Sequence, residues 1–465
     1  MTMPQTTSTG LFDPDLIRRY DKSGPRYTSY PTAVQFHDQF DESAYRAAAA
    51  RSNAAGGPLS IYTHIPFCDT VCYYCACNKV VTKDRARAQP YVDDVVLELA
   101  LQGKLFGEGR AVDQLHWGGG TPTFLSDEQM REIMAATGRH FALKTDDTGE
   151  YSIEIDPREA DAGTIAVLRD LGFNRISLGV QDFDERVQEA VNRIQSYAET
   201  KEVVDAARAE GFHGVSLDLI YGLPHQSGDS FMRTLDTVIA MAPDRLSIFN
   251  YAHLPTRFKP QRRIHTEDLP NPAEKLRILG GSIERLQEAG YVLIGMDHFA
   301  KPDDPLAIAQ RNGTLHRNFQ GYSTHAECDM VAVGVSSISQ VGGAFSQNTK
   351  DLVAYHEAVS AGRLPIERGY VLTDEDQLRR YVISEIISHF RLDFAQVEQK
   401  FGISFASHFA EALSELQPMV ADELLHLDNN HLEVLPRGRL LIRNICMAFD
   451  QYLNPEGLQR FSKVI

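Results

Sequence analysis

The chain has 465 residues, 43% hydrophobic and 23% charged, enough apolar material for one large domain and a smaller one. Its formal net charge of −17 argues against general nucleic-acid binding, which demands a basic face, and obliges any anionic substrate to find a locally basic pocket. No apolar run approaches the ~20 residues of a membrane span, and the opening MTMPQTTSTG lacks a basic-then-apolar leader pattern, so a cytoplasmic protein without a membrane partner is expected.

Residues 1–57 carry no strong strand pattern. Within them residues 23–32 (SGPRYTSYPT) read as an extended arm, either a packed linker or a segment closing over an active site with Arg26 and Tyr27 turned inward. From residue 58 an alternation begins. Short β-rich runs fall at 59–65, 114–118, 151–156, 175–180, 214–222 and 245–250. Segments with helical periodicity separate them, such as YVDDVVLELALQGKLF, DAGTIAVLRDLGF and SFMRTLDTVIAMAP. Strand–helix–strand repetition at this spacing implies βαβ units and a parallel sheet. Six units fit an α/β fold of the partial (β/α)6, TIM-like type, with a doubly wound open sheet as the competing arrangement.

The first strand runs into residues 61–78, IYTHIPFCDTVCYYCACN, which hold four of the six cysteines: Cys68, Cys72, Cys75 and Cys77. The first three have the spacing C-x3-C-x2-C, short enough to turn three thiolates towards one centre. An iron–sulfur cubane held by three cysteines keeps one iron open to another ligand. A structural zinc site wants four ligands in paired knuckles, and no second C-x2-C pair follows. A disulfide framework does not suit cysteines this close in a chain without a leader. A redox pair of Cys72 and Cys75 leaves Cys68 unexplained.

In barrel folds chemistry gathers at the C-terminal ends of the strands. The first predicted strand carries Tyr62 and His64, and the second ends in HWGGGTPT, whose Gly118, Gly119 and Gly120 admit close backbone approach. Glu154, Asp156 and Arg158 follow the third, Gln181 and Asp182 the fourth, Asp218 and YGLP the fifth. Asn250, Tyr251, Ala252 and His253 follow the sixth. A lone carboxylate at a strand end is usually a helix cap, but polar groups on four adjacent strand ends line a pocket. Beyond them a Pro-rich, basic loop (254–270) precedes a helix at about 272–289. A seventh strand is expected in YVLIGMDHFAKPDD, ending at Asp297 and His298. After residue 365, charged helical segments precede short strands around an N-N turn, which suggests a small, mainly helical, winged-helix-like domain with a lid or packing role. The chain thus divides into an arm (1–57), a barrel with its extension (58–364) and a C-terminal domain (365–465).

The spacing C-x3-C-x2-C resembles the signature of the radical S-adenosylmethionine (SAM) enzymes. There the amino and carboxylate groups of SAM chelate the open iron, and the reduced cluster cleaves SAM to methionine and a 5′-deoxyadenosyl radical. A narrower resemblance rests on HIPFC, CYYCACNK, HWGGGTPT, SIEIDPRE, GVQDF, DLIYGLP, FNYAHLP, GMDHFA, HRNFQGY, GVSSIS and GRLLIRNICMAFD. Together these are similar to the oxygen-independent coproporphyrinogen III dehydrogenases (oxidases) of bacterial haem synthesis, from the arm to the final FSKVI. A sister group of haem-binding chaperones shares the barrel and three cysteines but usually lacks the fourth cysteine and HRNFQGY. One departure is Ala76, where related sequences often carry Gly.

The resemblance implies that Cys68, Cys72 and Cys75 hold a 4Fe–4S cluster and that Tyr62, Gly119, Glu154 and Ile338 contact the SAM on it. A second SAM falls to Tyr74, Ala76, Gly120, Thr121, Gln181, Arg193, Asp218 and Ala252. Tyr62 and Cys77 are implied as catalytic, and the reaction as oxidative decarboxylation of two propionates of coproporphyrinogen III. A low-potential donor such as flavodoxin or ferredoxin and a monomeric state complete the expectation. For the substrate's propionates, Arg26, Arg317 and His298 are the candidates, since a guanidinium fork suits a carboxylate.

Overall fold

The computed structural model describes residues 10–107 and 109–453; the leader reading of residues 1–9 and the final FSKVI lie outside them. The chain forms two compact units. Gln35–Pro270 and Glu327–Leu372 make the larger; Met1–Val34, Asn271–Ala326 and Thr373–Ile465 make the smaller.

In the larger unit six strands lie in the order β6-β5-β4-β3-β2-β1 with every neighbour parallel. They are β1 (Leu59–Ile65), β2 (Ala111–Gly119), β3 (Glu150–Ile155), β4 (Arg175–Gln181), β5 (Gly214–Tyr221) and β6 (Arg245–Asn250). β7 (Asp329–Val333) adds in parallel to the free side of β1, and β8 (Ile338–Val341), β9 (Ala344–Asn348) and β10 (Ile366–Val371) continue antiparallel. Each strand of the six lies beside its predecessor, so successive crossovers wind the same way round. A doubly wound sheet needs a reversal of strand order, which is absent among these strands. The winding is that of a partial barrel.

Local sequence explains the helices between the strands: α1 (Ala88–Gly103), α2 (Asp127–His140), α3 (Ala162–Asp170), α4 (Tyr197–Ala209) and α5 (Gly228–Ala240). The last four each open on a capping box: Ser126 with Gln129, Asp161 with Thr164, Ser196 with Glu199, and Ser227 with Ser230. Each box satisfies orphan N–H groups of the first turn, so helix starts are written locally.

The strands alternate. In β4, Ile176, Leu178 and Val180 are buried while Arg175, Ser177, Gly179 and Gln181 are half-buried; in β5, Val215, Leu217, Leu219 and Tyr221 alternate with Ser216, Asp218 and Ile220. Period 2 thus splits the sheet into an apolar face and a polar one. On the polar face Tyr62, His116, Ser152 and Arg175 are register neighbours across four strands. A hydrogen-bonded floor lies nearer the strands' N-terminal ends. Ser60 Oγ donates to Gln114 Oε1 (3.1 Å), Gln114 Nε2 donates to Glu150 Oε1 (3.1 Å), and Arg175 Nε pairs with Glu150 at 3.3 Å.

The smaller unit contains helix Pro272–Glu288, capped by Asn271. The expected seventh strand is instead a tight antiparallel hairpin, Val292–Gly295 with His298–Ala300. The chain reverses where Met296 takes φ +50°, so Asp297 sits in the turn. Met is no turn signal, which is why the run reads as one strand. Towards the C-terminus come helices Asp374–His389 and Phe394–Phe401, shorter helices to Ala421, and a three-stranded sheet with His431–Val434 between Arg391–Asp393 and Leu425–Leu427. The N-N turn is closed by Asp428, whose Oδ1 accepts from the N–H groups of Asn430 (2.7 Å) and His431 (2.9 Å). Leu16, Tyr20, Tyr27 and Tyr30 of the N-terminal segment share one core with Val382, Ile386, Phe405 and Phe449. Tyr27 turns inward and donates to Asp450 Oδ2 at 3.0 Å. Among the described residues no helix is long and apolar enough to cross a membrane.

Candidate functional site

Where β1–β5 end, the polar face of the larger unit opens into a solvent-open cleft. Cys68, Cys72, Cys75 and Cys77 line it, with Gly119, Gly120, Thr121, Glu154, Asp156, Arg158, Gln181, Arg193 and Asp218.

The cysteine loop is pinned at several points. Two-residue strands Phe67–Cys68 and Val80–Val81 pair in parallel and close its base. The N–H of Tyr73 donates to Val191 O (2.9 Å) and Asn192 Nδ2 donates to Val71 O (2.8 Å), tying its tip to the segment after β4. Lys79 Nζ donates to Cys75 O at 3.3 Å. β2 packs directly beneath. A Cβ on Gly119 (φ +118°) would stand 2.5 Å from the His64 ring, and one on Gly120 would stand 2.6 Å from Phe67 O. Only glycine allows this approach.

Opposed charges line the wall. Asp156 Oδ2 accepts from Arg158 Nη2 (2.6 Å) and Arg193 Nη1 (2.8 Å), and Arg193 Nη2 donates to Gly179 O (2.5 Å). Burial works to raise the Asp156 carboxyl, but the two guanidiniums outweigh it and hold it below its usual range. The same cations reach the sulfur of Cys72, Arg193 Nη1 at 3.6 Å and Arg158 Nη2 at 3.8 Å. Thr121 Oγ1 donates to Cys68 Sγ at 3.7 Å. Glu154, its side chain 48% exposed into the cleft, accepts from Gly119 N–H (3.0 Å) and lies 3.5 Å from His116 Nε2. The enclosing walls of the cleft oppose its charge despite that exposure, yet His116 and the Gly119 N–H hold its carboxyl below the usual range. Asp218 differs: burial pushes it up to about 6, although Ser177 Oγ donates to it at 3.1 Å. Gln181 takes φ +67° beside a register shift between Gly179 and Gln181, and this bulge re-aims its side chain.

Of the residues singled out by sequence, the cleft therefore gathers the four cysteines, Gly119, Gly120, Thr121, Glu154, Gln181, Arg193 and Asp218. Tyr62 sits one layer below, its hydroxyl 3.2 Å from His64 Nδ1 and its ring stacked on His116 at 5.8 Å. Ala76 is exposed on the cysteine loop, Ala252 follows β6 and Ile338 opens β8. Tyr74, whose carbonyl accepts from Gln261 Nε2 (3.0 Å), packs against a small apolar cluster with Val191 and Tyr251. Arg26, His298 and Arg317 belong to the smaller unit. His116 and Ser177 were not singled out as site residues. Their signal is positional: each is a polar residue at an inward step of an alternating strand.

The donor set fits an iron–sulfur cluster held by three thiolates. All three sulfurs are free, and they do not all lie within 4.8 Å of one another. A single ion bonded to sulfur at about 2.3 Å draws its ligands closer than that, whereas a polynuclear cluster holds them apart. The cations and the hydroxyl beside Cys72 and Cys68 suit an anionic sulfur cage.

Winding and cysteine loop together define a radical SAM protein, and the model of the Radical SAM superfamily matches residues 62–238, that of the HemN C-terminal domain residues 372–441. Superfamily membership implies a 4Fe–4S cluster and SAM. The chain is 56% identical over 454 residues to the oxygen-independent coproporphyrinogen III oxidase of Pseudomonas aeruginosa, covering 98% of this chain and 99% of the relative. To that of Escherichia coli it is 48% identical over 455 residues, covering 98% of each. The solved structure of coproporphyrinogen III oxidase (HemN) from Escherichia coli, a radical SAM enzyme, superposes with a TM-score of 0.91 at 47% identity, covering 95% of this chain and 99% of that one. The chain belongs to the family of oxygen-independent coproporphyrinogen III oxidases.

Proposed function

We propose that the protein catalyses the oxygen-independent oxidative decarboxylation of two propionates of coproporphyrinogen III to vinyl groups, giving protoporphyrinogen IX in haem biosynthesis. The observation that carries this is one cleft presenting Cys68, Cys72 and Cys75 beside Glu154, Asp156, Arg193 and Asp218, in a chain matched along almost its whole length by the named oxidases. An unactivated C–H beside a propionate resists acids and bases; SAM on a three-thiolate 4Fe–4S cluster supplies a primary-carbon radical able to abstract that hydrogen.

The chain's own groups divide the remaining work. Cys68, Cys72 and Cys75 hold the cluster. Tyr62, Gly119, Glu154 and Ile338 contact the SAM on it, where an ionised Glu154 is an acceptor for the amino group of its methionine part. Tyr74, Ala76, Gly120, Thr121, Gln181, Arg193, Asp218 and Ala252 hold a second SAM. Cys77, an exposed thiol on the cleft, and Tyr62 take part in the chemistry. A low-potential donor of the flavodoxin or ferredoxin kind, a cytoplasmic location and a monomeric state belong to the same reading. Placing the reacting carbon and excluding water and oxygen are the protein's contribution.

Anaerobic incubation of reconstituted, reduced protein with coproporphyrinogen III and SAM tests the reading, with protoporphyrinogen IX the expected product. SAM cleavage without that product would assign a different substrate, and tight haem binding without turnover would make the protein a haem carrier.

A further inference from the structure

Three guanidinium groups of the smaller unit share one neighbourhood: Arg26 in the arm, Arg317 on strand His316–Asn318 and Arg443 in helix Ile442–Met447. Arg26 pairs with Asp297, Nη1 to Oδ2, at 3.1 Å. Arg443 is buried and grips the arm, its Nε donating to Pro25 O (2.8 Å) and its Nη2 to Gly24 O. Burial first, then the charge of Arg26, lowers its affinity for its proton to a pKa of about 10; Arg317 adds to the effect and Asp297 opposes it.

Arg317 is the anomaly. It is only 9% exposed, and its guanidinium lies over the ring of Tyr322 at 4.7 Å, the residue opposite it on the paired antiparallel strand Gly321–Ser323. Its Nε and Nη1 are buried with no hydrogen-bond partner, and no carboxylate of the described residues lies within ion-pair distance. The plain reading is a cation resting on an aromatic face. The Tyr322 hydroxyl adds a hydrogen bond and a favourable charge interaction, but Nε and Nη1 stay unspent. A buried cation without a counter-ion is among the least favourable groups a fold can carry. Asp297 is engaged with Arg26, so these four side chains set three cations against one anion. Tyr322, with His298 edge-on to it at 5.3 Å, gives the site an aromatic wall. An anion on a hydrocarbon arm suits that wall better than a free phosphate.

We propose that Arg317, backed by the field of Arg26 and Arg443, forms a carboxylate-binding subsite in the smaller unit. Resting on the decarboxylation reading above, the carboxylate is a propionate arm of the substrate. Arg317 is the direct donor; Arg443 sets the position of the arm that carries Arg26.

The test is binding, read apart from turnover. Full-length, cluster-loaded protein is titrated anaerobically with coproporphyrin III, the stable tetracarboxylate, with its tetramethyl ester, and with SAM, for the wild type, Arg317→Lys and Arg317→Met. A charge-assisted contact in a shielded site predicts that Arg317→Met weakens coproporphyrin binding about tenfold or more, with Arg317→Lys in between. SAM affinity stays the same, and the wild type holds the ester no more tightly than Arg317→Met holds the acid. Ligand-free Arg317→Met melts no lower than the wild type, because it sheds an unpaired buried charge. Equal affinity of wild type and Arg317→Met for the acid, or of the wild type for acid and ester, overturns the subsite. A lower melting point together with lost SAM affinity would make Arg317 a packing residue and also overturn it. Binding through Arg317 without protoporphyrinogen IX leaves the subsite standing and sinks the decarboxylation reading; turnover with unchanged binding by Arg317→Met does the reverse.

Discussion

Asp156→Asn is the most informative single change in the cleft, because one carboxylate serves two buried cations. Asp156 Oδ2 accepts from Arg193 Nη1 and Arg158 Nη2 at 2.8 and 2.6 Å, and Oδ1 accepts from Arg158 Nε at 3.0 Å. The side chains of Asp156, Arg193 and Arg158 are 8%, 8% and 17% exposed, so water screens the cluster little. Removing one partner of such a buried pair costs about 3–5 kcal/mol. Asparagine keeps part of the hydrogen bonding and Arg158 keeps some solvent, which places the expected loss near the lower end, at about 3 kcal/mol. Each kcal/mol moves the melting point of a domain of this size by about 2 °C, so a fall of about 6 °C is expected. The chain has two units and need not melt in one step, so the probe must report the larger unit. Trp117, the only tryptophan, is fully buried in β2 and does so by intrinsic fluorescence. Added salt should leave the difference in place, because a buried pair is barely screened. A midpoint within about 1 °C of wild type would show that the guanidiniums find other anions and refute the argument.

Cys68→Ala, Cys72→Ala and Cys75→Ala should each lose cluster iron and sulfide on anaerobic reconstitution, whereas Cys328→Ala and Cys446→Ala keep both; a full iron complement in any of the first three contradicts the ligand assignment. Cys77→Ser should retain iron and lose product formation, and iron loss there would make Cys77 a fourth ligand. Gly120→Ala drives a Cβ to within 2.6 Å of Phe67 O and 2.7 Å of Pro66 C, backbone atoms that cannot yield, so iron retention should fall although no ligand is changed. Glu98 is buried and accepts from Gly334 N (2.7 Å), Asn348 Nδ2 (2.7 Å) and Tyr355 OH (2.5 Å), yet burial pushes its carboxyl up to about 7. Its folded value lies above the unfolded one of about 4.3, so its contribution is whole below that pH and is lost as pH rises through 7. The melting point of Glu98→Gln should therefore gain on wild type across that window; a difference flat with pH would count against it.

How far the fold could be read depends on the range of the forces that write it. Six strands stood out because Ile176, Leu178 and Val180 alternate with Ser177, Gly179 and Gln181, and because helix starts such as Ser126-x-x-Gln129 are complete within four residues. Period 2 says nothing of which strand lies beside which, so the six units suggest a partial barrel without ruling out a doubly wound sheet, and the strand order decides for the barrel. The hairpin at Met296 is not legible in the sequence for a local reason: methionine is not a residue that favours the positive φ at which the chain reverses.

The site divides along the same line. Cys68, Cys72 and Cys75 are held by one loop, so their spacing alone conveys their purpose. The pairing of Arg193 with Asp156 joins residues 37 apart, and that of Asn348 with Glu98 joins residues 250 apart. No motif announces such pairs. Yet each leaves one legible trace, a charged residue where the pattern calls for an apolar one. Glu98 interrupts VVLELAL and Arg443 interrupts LLIRNIC, and both prove buried. A buried charge must be answered by a partner in the fold or by a ligand. Glu98 is answered by three donors from elsewhere in its unit, and Arg443 by the carbonyls of the arm. Arg317 meets only the ring and hydroxyl of Tyr322, and its buried Nε and Nη1 have no acceptor among the described residues, which is the reason to look there for the substrate's carboxylate.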